Sequence, residues 1–272
     1  MGQKRNQRLV KAYQNIKFLS DTDARSLRIL SEYLEPKSRF SHFNIVDTIV
    51  FMGSARAVPH RQAETELDAA NAGKGDVERA RARLDMSHYY EAASQLAERL
   101  TLWSKGLNSE EHRFVVCTGG GPGIMEAANR GASMARGLNV GMAISIPTEQ
   151  LINRFVTREL AFQFHYFFMR KFWLIYLAKA IILFPGGFGT LDEMFEILTL
   201  LKTQKVRKRL PLVLFGKKYW DEVVSFETLI RYGNVDPQDM DLIFSTDSVE
   251  DAYDYLVAEL TKYAMGEKGV SL

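Results

Sequence analysis

The sequence contains a single cysteine, Cys117, among 272 residues. One cysteine excludes a disulfide framework within the chain and a cysteine-rich zinc site. The five histidines show no spacing typical of metal ligands, so we expect no metal centre. Because Cys117 ends the apolar run of residues 114–117, we expect it to be a small buried side chain.

The sequence also lacks a long apolar run and a marked excess of charge. The nearest candidate for a membrane span, residues 172–184, is interrupted by Lys179 and falls short of the ~20 residues required. The first residues are polar and basic, unlike a signal peptide, and Asn6 stands where a myristoylation motif has Ser or Thr. A formal net charge of +2 gives no reason to expect nucleic acid as a partner. We therefore expect a cytoplasmic protein without membrane contacts.

What the chain does have is an alternation of apolar runs and helical patterns. The apolar runs predict strands over residues 45–52, 113–118, 140–146, 160–165, 180–184, 211–215 and 242–245. The segments between them predict helices over residues 87–103, 124–136, 166–179, about 190–204, 219–232 and 248–263. Strands separated by helices predict an α/β fold, a doubly wound, Rossmann-like parallel sheet with helices on both faces.

We expect one nucleotide-binding domain over residues 1–272, with two additions to the alternating pattern. Residues 1–41 form an N-terminal helical extension. Its helix is expected to end at Pro36 and to pack on the domain through the apolar positions Leu27, Leu30 and Leu34. Residues 59–84 form a charge-rich helical insertion, for which a solvated helical hairpin is favoured over a mobile lid.

The most informative stretch is a glycine turn between an apolar run and a helical pattern. Residues 185–193 have the sequence Pro-Gly-Gly-Phe-Gly-Thr-Leu-Asp-Glu. Gly186, Gly187 and Gly189 let backbone N–H groups approach an anion, because no Cβ stands in the way. The following helix adds unpaired N–H groups and the positive end of its dipole, and Thr190 adds a hydroxyl. The turn is therefore predicted to bind a phosphate.

Neither this turn nor the second glycine-rich turn, residues 119–123, has the G-x-G-x-x-G pattern or a Walker lysine. This disfavours a nicotinamide enzyme and a P-loop NTPase. For Gly120, Gly121 and Gly123, tight strand-to-helix packing and ligand binding are both possible, and we favour ligand binding. Ser54, in the turn after the first strand, is either a turn residue or a hydroxyl donor to phosphate.

Three charged residues, Glu193 in the main glycine turn motif and Arg170 and Lys171 upstream of it, each allow two interpretations. Glu193 fits a capping box with Thr190 as the N-cap, and it also fits a carboxylate that faces the sugar of a bound nucleotide. Arg170 and Lys171 lie in an aromatic helical pattern, where long cationic side chains either extend to water or pair with an anion. Glu193 and a phosphate are both suitable anions.

The Pro-Gly-Gly-x-Gly-Thr-x-x-Glu motif resembles the Lonely Guy family of phosphoribohydrolases, which is also labelled lysine decarboxylase-like. Three further blocks resemble the same family, in its order, at residues 51–56, 119–127 and 164–171. The resemblance covers roughly residues 45–215. It implies that Arg170 and Glu193 are the catalytic pair. It also implies that Gly53, Ser54 and Lys171 belong to the substrate site and that Glu126 contacts a ribose hydroxyl.

The resemblance implies hydrolysis of the N-glycosidic bond of a nucleoside 5′-monophosphate, such as AMP or a cytokinin riboside monophosphate, without a cofactor. Family members form dimers or larger homo-oligomers, which we expect here too. The base is left open by the sequence. A lysine decarboxylase is not supported, because no lysine has the setting of a pyridoxal Schiff base. The alternative function is a non-catalytic carrier of a nucleotide or phosphorylated cofactor, like the molybdenum cofactor carrier proteins.

Overall fold

The structure is a computed structural model that describes residues 9–107, 109–145 and 152–266. Its centre is a seven-stranded sheet in which the strands lie in the order β4-β3-β2-β1-β5-β6-β7. The strands are β1 (Thr48–Met52), β2 (Val115–Thr118), β3 (Asn139–Ile144), β4 (Ala161–Phe164), β5 (Ala178–Leu183), β6 (Leu212–Phe215) and β7 (Ile243–Thr246). Every neighbouring pair is parallel.

Helices occupy the connections between strands and both ends of the described chain. They are α1 (Ile16–Leu19), α2 (Arg25–His42), α3 (His60–Asn71), α4 (Val77–Lys105), α5 (Ile124–Met134), α6 (Phe167–Tyr176), α7 (Phe188–Lys202), α8 (Lys217–Val223), α9 (Phe226–Arg231) and α10 (Val249–Glu259). Short 3₁₀ segments lie at Ala12–Gln14, Thr22–Ala24, Arg158–Leu160 and Pro237–Leu242, and a π-helical turn follows α10 at Leu260–Ala264.

The sheet is buried on both faces. Along β1, Val50 and Met52 pack into one apolar core with residues of α6 and α7, whereas Ile49 and Phe51 pack into a second core with residues of α4, α5 and α10. A parallel strand covered on both sides is largely apolar; all five residues of β1 are buried, and four of them, Ile49 to Met52, are apolar. The predicted α/β fold, a doubly wound parallel sheet with helices on both faces, is confirmed.

The prediction for the N-terminal helix is wrong in its end and in its packed face. Helix α2 continues through Pro36 to His42. Leu27, Leu30 and Leu34 are 46%, 50% and 50% exposed. The residues that turn inward are Ile29, Tyr33, Pro36 and Phe40. The inward face is set by aromatic packing, since the ring of Phe40 lies 5.1 Å from that of Phe162 and 5.5 Å from that of Trp173.

Several predicted boundaries also move. The helix predicted to begin at Ser87 begins at Val77 instead, and α3 and the first turns of α4 form a helical hairpin over much of residues 59–84. The helix predicted to reach Lys179 ends at Tyr176, so Ala178 and Lys179 belong to β5. The helix predicted over residues 219–232 is two helices, α8 and α9. The end of the strand predicted over residues 140–146, residue 146, lies outside the described residues.

Within the parts of the chain that the structure describes, no helix combines the length and the apolar character that crossing a membrane would require.

Candidate active site

The candidate site lies where the order of strands in the sheet reverses direction. The chain leaves β1 towards β2 on one side, and β5 pairs with the other side of β1. The backbone N–H of Phe184 donates to Met52 O and that of Ser54 donates to Pro185 O, both at 2.9 Å. These bonds hold the turn after β1 against the glycine turn after β5. Crevices at such switch points are the usual ligand sites of open α/β sheets.

A cavity of about 690 Å³ opens at this point. Its lining combines the two turns, the predicted charged pair and apolar side chains from several elements. The lining residues are Phe51, Met52, Gly53, Ser54, Ala55, Arg56, Met86, Gly119, Met125, Arg170, Leu174, Gly186, Gly187, Phe188, Gly189, Thr190, Leu191, Glu193 and Tyr219. The volume is within the range of small-molecule sites in proteins.

The glycines of the main turn serve two different purposes. A Cβ on Gly186 would lie 2.2 Å from Thr190 Oγ1, so this glycine allows the turn to fold onto its own helix. Gly187 and Gly189 face open space, with nothing within 4 Å of a Cβ at either position. The backbone there is therefore bare on the cavity side, at the N-terminus of α7. Bare backbone at a helix N-terminus is the arrangement that binds phosphates.

The capping-box interpretation of Glu193 is wrong. Gly187 is the N-cap of α7, which begins at Phe188, so Thr190 is already inside the first turn and buried. The glycines start the helix before Thr190 is reached, and Glu193 lies beyond the positions at which a side chain can cap it. Its carboxylate faces helix α6 instead, where Glu193 Oε1 lies 3.7 Å from Arg170 Nη1.

Arg170 is held in place by the sheet and by the loop after β2. Its Nε donates to Met142 O within β3 (2.8 Å). The guanidinium lies against Gly119, where a Cβ would come within about 2.3 Å of Nη2. Both side chains of the pair are 14% exposed. Arg170 thus reaches the cavity floor with one nitrogen bonded to the sheet and another directed to Glu193.

The surroundings of Glu193 shift its proton equilibrium. Burial raises the pKa of the Glu193 carboxyl, and this effect outweighs the lowering by the cations Arg170 and Lys171; the neighbouring Asp192 and Glu196 raise it further. Lys171 Nζ is itself paired with Asp192 (2.6 Å) and Glu196 (2.9 Å). A raised pKa in a cavity, with a specific charged neighbour, is typical of functional carboxyls.

The structure brings most of the predicted site residues together around the cavity and leaves others outside its lining. The predicted residues that line it are Gly53, Ser54, Arg170, Gly186, Gly187, Gly189, Thr190 and Glu193. Those outside the lining are Gly120, Gly121, Gly123, Glu126 and Lys171. The substrate-binding roles of this second group remain predictions.

Packing accounts for two of the glycines outside the lining. Gly120 and Gly123 have φ values of 71° and 73°, which disfavour other residues. A Cβ on Gly123 would lie 2.2 Å from Ser54 O, so this glycine lets the start of α5 meet the turn after β1. Glu126 accepts a hydrogen bond from the hydroxyl of Tyr90 (3.2 Å), which directs it towards α4.

Some lining residues were missed by the sequence analysis. Arg56 and Met125 stand inside motif blocks, so position alone could have indicated them. Met86 comes from α4 and Tyr219 from α8, and neither has a local signal in the sequence. The Tyr219 hydroxyl donates to Gly186 O and so helps to hold the glycine turn. Among the described residues, no group of three or more His, Cys, Asp or Glu side chains is placed to hold a metal ion.

The fold places the chain among Rossmann-like α/β proteins. A family described as "Possible lysine decarboxylase" matches residues 125–256, a segment that includes Arg170 and the whole glycine turn. The resemblance to the lysine decarboxylase-like, or Lonely Guy, family drawn from the motifs is thereby confirmed for this part of the chain.

A curated relative is the pyrimidine/purine nucleotide 5′-monophosphate nucleosidase of Escherichia coli strain K12, which is 31% identical over 116 residues. The match covers 38% of this chain and only 24% of the relative's length. Among solved structures, the structural-genomics target TM1055 has a TM-score of 0.50 at 18% identity, covering 78% of this chain and 99% of that one, and shows the shared fold. The molybdenum cofactor binding protein of Rippkaea orientalis has a TM-score of 0.47 at 20% identity, covering 78% and 94% of the two chains. At that score it carries no argument about a ligand.

Proposed function

We propose that the protein hydrolyses the N-glycosidic bond of nucleoside 5′-monophosphates, such as AMP, to the free base and ribose 5-phosphate. Three observations support the proposal. The family match includes the glycine turn and both charged residues. The partial relative is a 5′-monophosphate nucleosidase by name. The cavity combines a bare glycine turn with a carboxylate and a guanidinium.

The observation that carries the proposal is the direction of the Glu193 side chain. Its carboxylate lies in the cavity opposite Arg170, and it does not cap its own helix. A carboxylate one turn along the helix from a phosphate site would repel the phosphate if it pointed at it. The direction of Glu193, towards Arg170, avoids this repulsion. With the 5′-phosphate on Gly187 and Gly189, the ribose of a nucleotide extends from the turn into the same cavity, towards this carboxylate.

The chemistry follows from what a carboxylate can do beside a ribose. As the C1′–N bond breaks, its electron pair leaves with the base, and the ribose acquires oxocarbenium character that an ionised carboxylate stabilises. Water adds its oxygen to C1′ and gives one proton to Glu193. That proton is passed on, directly or through solvent, to the departing base nitrogen, so Glu193 ends the cycle ionised. Arg170 either keeps Glu193 ionised and in position or assists the leaving base.

The phosphate contacts supply the preference for a 5′-monophosphate. Gly187 and Gly189 offer backbone N–H groups at the start of α7, and the hydroxyls of Ser54 and Thr190 line the same cavity. The Ser54 hydroxyl accepts a hydrogen bond from the Arg56 N–H (3.1 Å), which leaves its proton available for a ligand oxygen. Binding energy from the phosphate then positions the sugar, as remote groups of a substrate commonly do.

We also propose that the protein acts as a homodimer or larger homo-oligomer. Phe167 and Phe168, at the start of α6, and Phe188, at the start of α7, are 54%, 52% and 92% exposed. Exposed aromatic side chains at this density favour burial by a protein partner. Light scattering after gel filtration measures the mass directly, and a monomer at micromolar concentration would contradict this part of the proposal.

The activity is tested by incubating the purified protein with AMP, GMP, CMP and UMP and separating the products by chromatography. We expect free base and ribose 5-phosphate from at least one of them, and no base from the corresponding nucleosides, because these lack the phosphate. If the monophosphates bind but all remain intact, the protein is a nucleotide-binding module and the hydrolase proposal is wrong.

A further inference from the structure

The floor beneath Arg170 is held by four buried polar side chains that the proposed chemistry does not use. We call them the amide network; they are Thr118, Asn129, Asn139 and Asn153. They belong to the end of β2, helix α5, the start of β3 and the segment before β4. All are at most 8% exposed. Buried polar groups at this density are costly unless each is satisfied, and a satisfied network fixes the local geometry.

The network fixes the loop after β2 from one side. Asn153 Nδ2 donates to Gly120 O and Gly121 O, both at 3.1 Å, and Asn153 N donates to Gly120 O at 2.8 Å. The Gly120 N–H in turn donates to Thr118 Oγ1 at 2.9 Å. Asn153 therefore fixes the carbonyls of both Gly120 and Gly121.

The same network ties the loop to β3. Asn129 Oδ1 accepts from Thr118 Oγ1 (2.7 Å) and from Asn153 Nδ2 (2.9 Å). Asn129 Nδ2 donates to Asn139 Oδ1 (2.9 Å) and to Val140 O (3.3 Å). One side chain thus links the loop after β2 to the strand beside it.

These two elements are the surfaces on which Arg170 lies. The loop provides Gly119, whose missing side chain leaves room for Nη2, and β3 provides Met142 O, which accepts from Nε. We propose that the amide network, through Asn153 and Asn129, is a positioning device for Arg170. The network fixes the position of Gly119 relative to Met142 O, and these two contacts direct the guanidinium of Arg170 to Glu193. The role in turnover rests on the proposed hydrolase function, whereas the positioning itself does not.

Asn153→Ala tests the proposal because it removes the side-chain donors and leaves the cavity lining intact. A displaced Arg170 no longer lowers the pKa of Glu193, so that pKa rises above its wild-type value. We expect kcat to fall by about 10²-fold, with KM for AMP little changed because the phosphate cradle lies on the other turn. Gly119→Ala pushes directly on Nη2, leaves the network in place and should give the same signature.

The pKa of Glu193 is measured independently of activity, by NMR titration of carboxyl-labelled glutamate. The charged groups facing Glu193 are Arg170 and Lys171 from α6 and Asp192 and Glu196 from α7. Arg56 and Tyr219 line the same cavity. All remain in both variants. In Gly119→Ala the new Cβ also meets Met125 Sδ at 2.8 Å, but methionine is uncharged, so among the charges facing Glu193 the expected difference is the position of Arg170. Thr101→Ala is the matched control: it removes a buried hydroxyl that donates within α4 (2.7 Å to Ala97 O) and should cost stability alone.

The outcomes separate the two proposals. A raised Glu193 pKa in Asn153→Ala and Gly119→Ala, with Thr101→Ala unchanged, supports the positioning role even if the wild type releases no base. A folded Asn153→Ala variant with wild-type kcat and wild-type Glu193 pKa overturns it, and the network then serves stability alone. If Asn153→Ala does not fold, Asn153→Ser, which keeps one donor, is measured by the same criteria.

Discussion

Arg170 and Glu193 face each other from two neighbouring helices, with Nη1 and Oε1 3.7 Å apart. This distance is longer than a hydrogen bond. The guanidinium therefore acts on the carboxylate through its charge and leaves the carboxylate oxygens for a ligand. Burial raises the pKa of the Glu193 carboxyl, and Arg170 is the neighbour that opposes this rise most strongly.

The pH dependence of activity is the first consequence. The proposed role requires ionised Glu193, so kcat/KM should rise with pH through a pKa above the ordinary value of a glutamate. Arg170→Met removes the main cation that lowers this pKa. The acidic limb of the pH profile of kcat/KM should therefore move to higher pH. Arg99→Met, which removes a surface pair with Glu250, is the control and should leave the limb in place. A limb at the same pH in wild type and Arg170→Met would contradict the account.

The stability of Glu193→Gln follows from the same shift. A carboxyl whose pKa is higher in the folded state binds more protons when folded, so its contribution to stability falls as pH rises from the unfolded pKa through the folded pKa. Ionised Glu193 thus costs stability at neutral pH. We expect the melting temperature of Glu193→Gln to match or exceed that of the wild type at pH 7, with the difference shrinking towards pH 4. Calorimetry at both pH values measures it, and a marked loss at pH 7 would assign Glu193 a structural role.

Substitution of Gly189 in the glycine turn should affect ligand binding without lowering the stability of the fold. Gly189 lies inside the first turn of α7 with open space around it. Ala there should leave stability unchanged or raise it by up to about 1 kcal/mol, because Ala is the better helix former. The added methyl occupies the proposed phosphate position, so affinity for AMP should fall at least about tenfold.

Calorimetric titration in the Glu193→Gln background avoids turnover during this measurement. Gly75→Ala, on the turn between α3 and α4, meets only ordinary contacts at 3.7 Å and is the control. Equal AMP affinity in Gly189→Ala and Gly75→Ala would show that the phosphate lies elsewhere.

The corrected face of α2 also has a measurable consequence. Phe40 is 3% exposed and stacks among aromatic rings, whereas Leu34 is 50% exposed. Phe40→Ala should lower the free energy of unfolding by about 3–5 kcal/mol, and Leu34→Ala by no more than about 0.5 kcal/mol. Urea unfolding distinguishes these values. Comparable losses of stability in the two variants would contradict the observed face of α2 and support the face predicted from the sequence.

The error at α2 shows a limit of hydrophobic patterns. Leu27, Leu30 and Leu34 form one apolar stripe, and Ile29, Tyr33 and Phe40 form another. Periodicity indicates a helix for either stripe, but it cannot choose between them. The choice depends on Phe162 and Trp173, aromatic residues more than a hundred positions away that pack against Phe40.

The sheet and the proximity of Arg170 to Glu193 were more accessible to sequence reasoning. Strand-helix alternation sufficed for the fold, and the motif blocks placed Arg170 beside Glu193. The capping box failed for a local reason: glycine has no side chain to mark an N-cap, so the hydroxyl of Thr190 looked like the start of a helix that begins at Phe188. Met86 and Tyr219 reach the cavity from other helices and carry no local signal.

The most direct test of the central claim is the rate of adenine release from AMP by Glu193→Gln, compared with the wild type and with Glu196→Gln. Glu196 lies one turn further along α7, paired with Lys171, and serves as the matched carboxylate. Removing a group that stabilises the transition state should lower kcat by about 10²–10³-fold in Glu193→Gln, while Glu196→Gln keeps most of the activity. Near-wild-type release of adenine by a folded Glu193→Gln variant would contradict the assignment of Glu193 to catalysis.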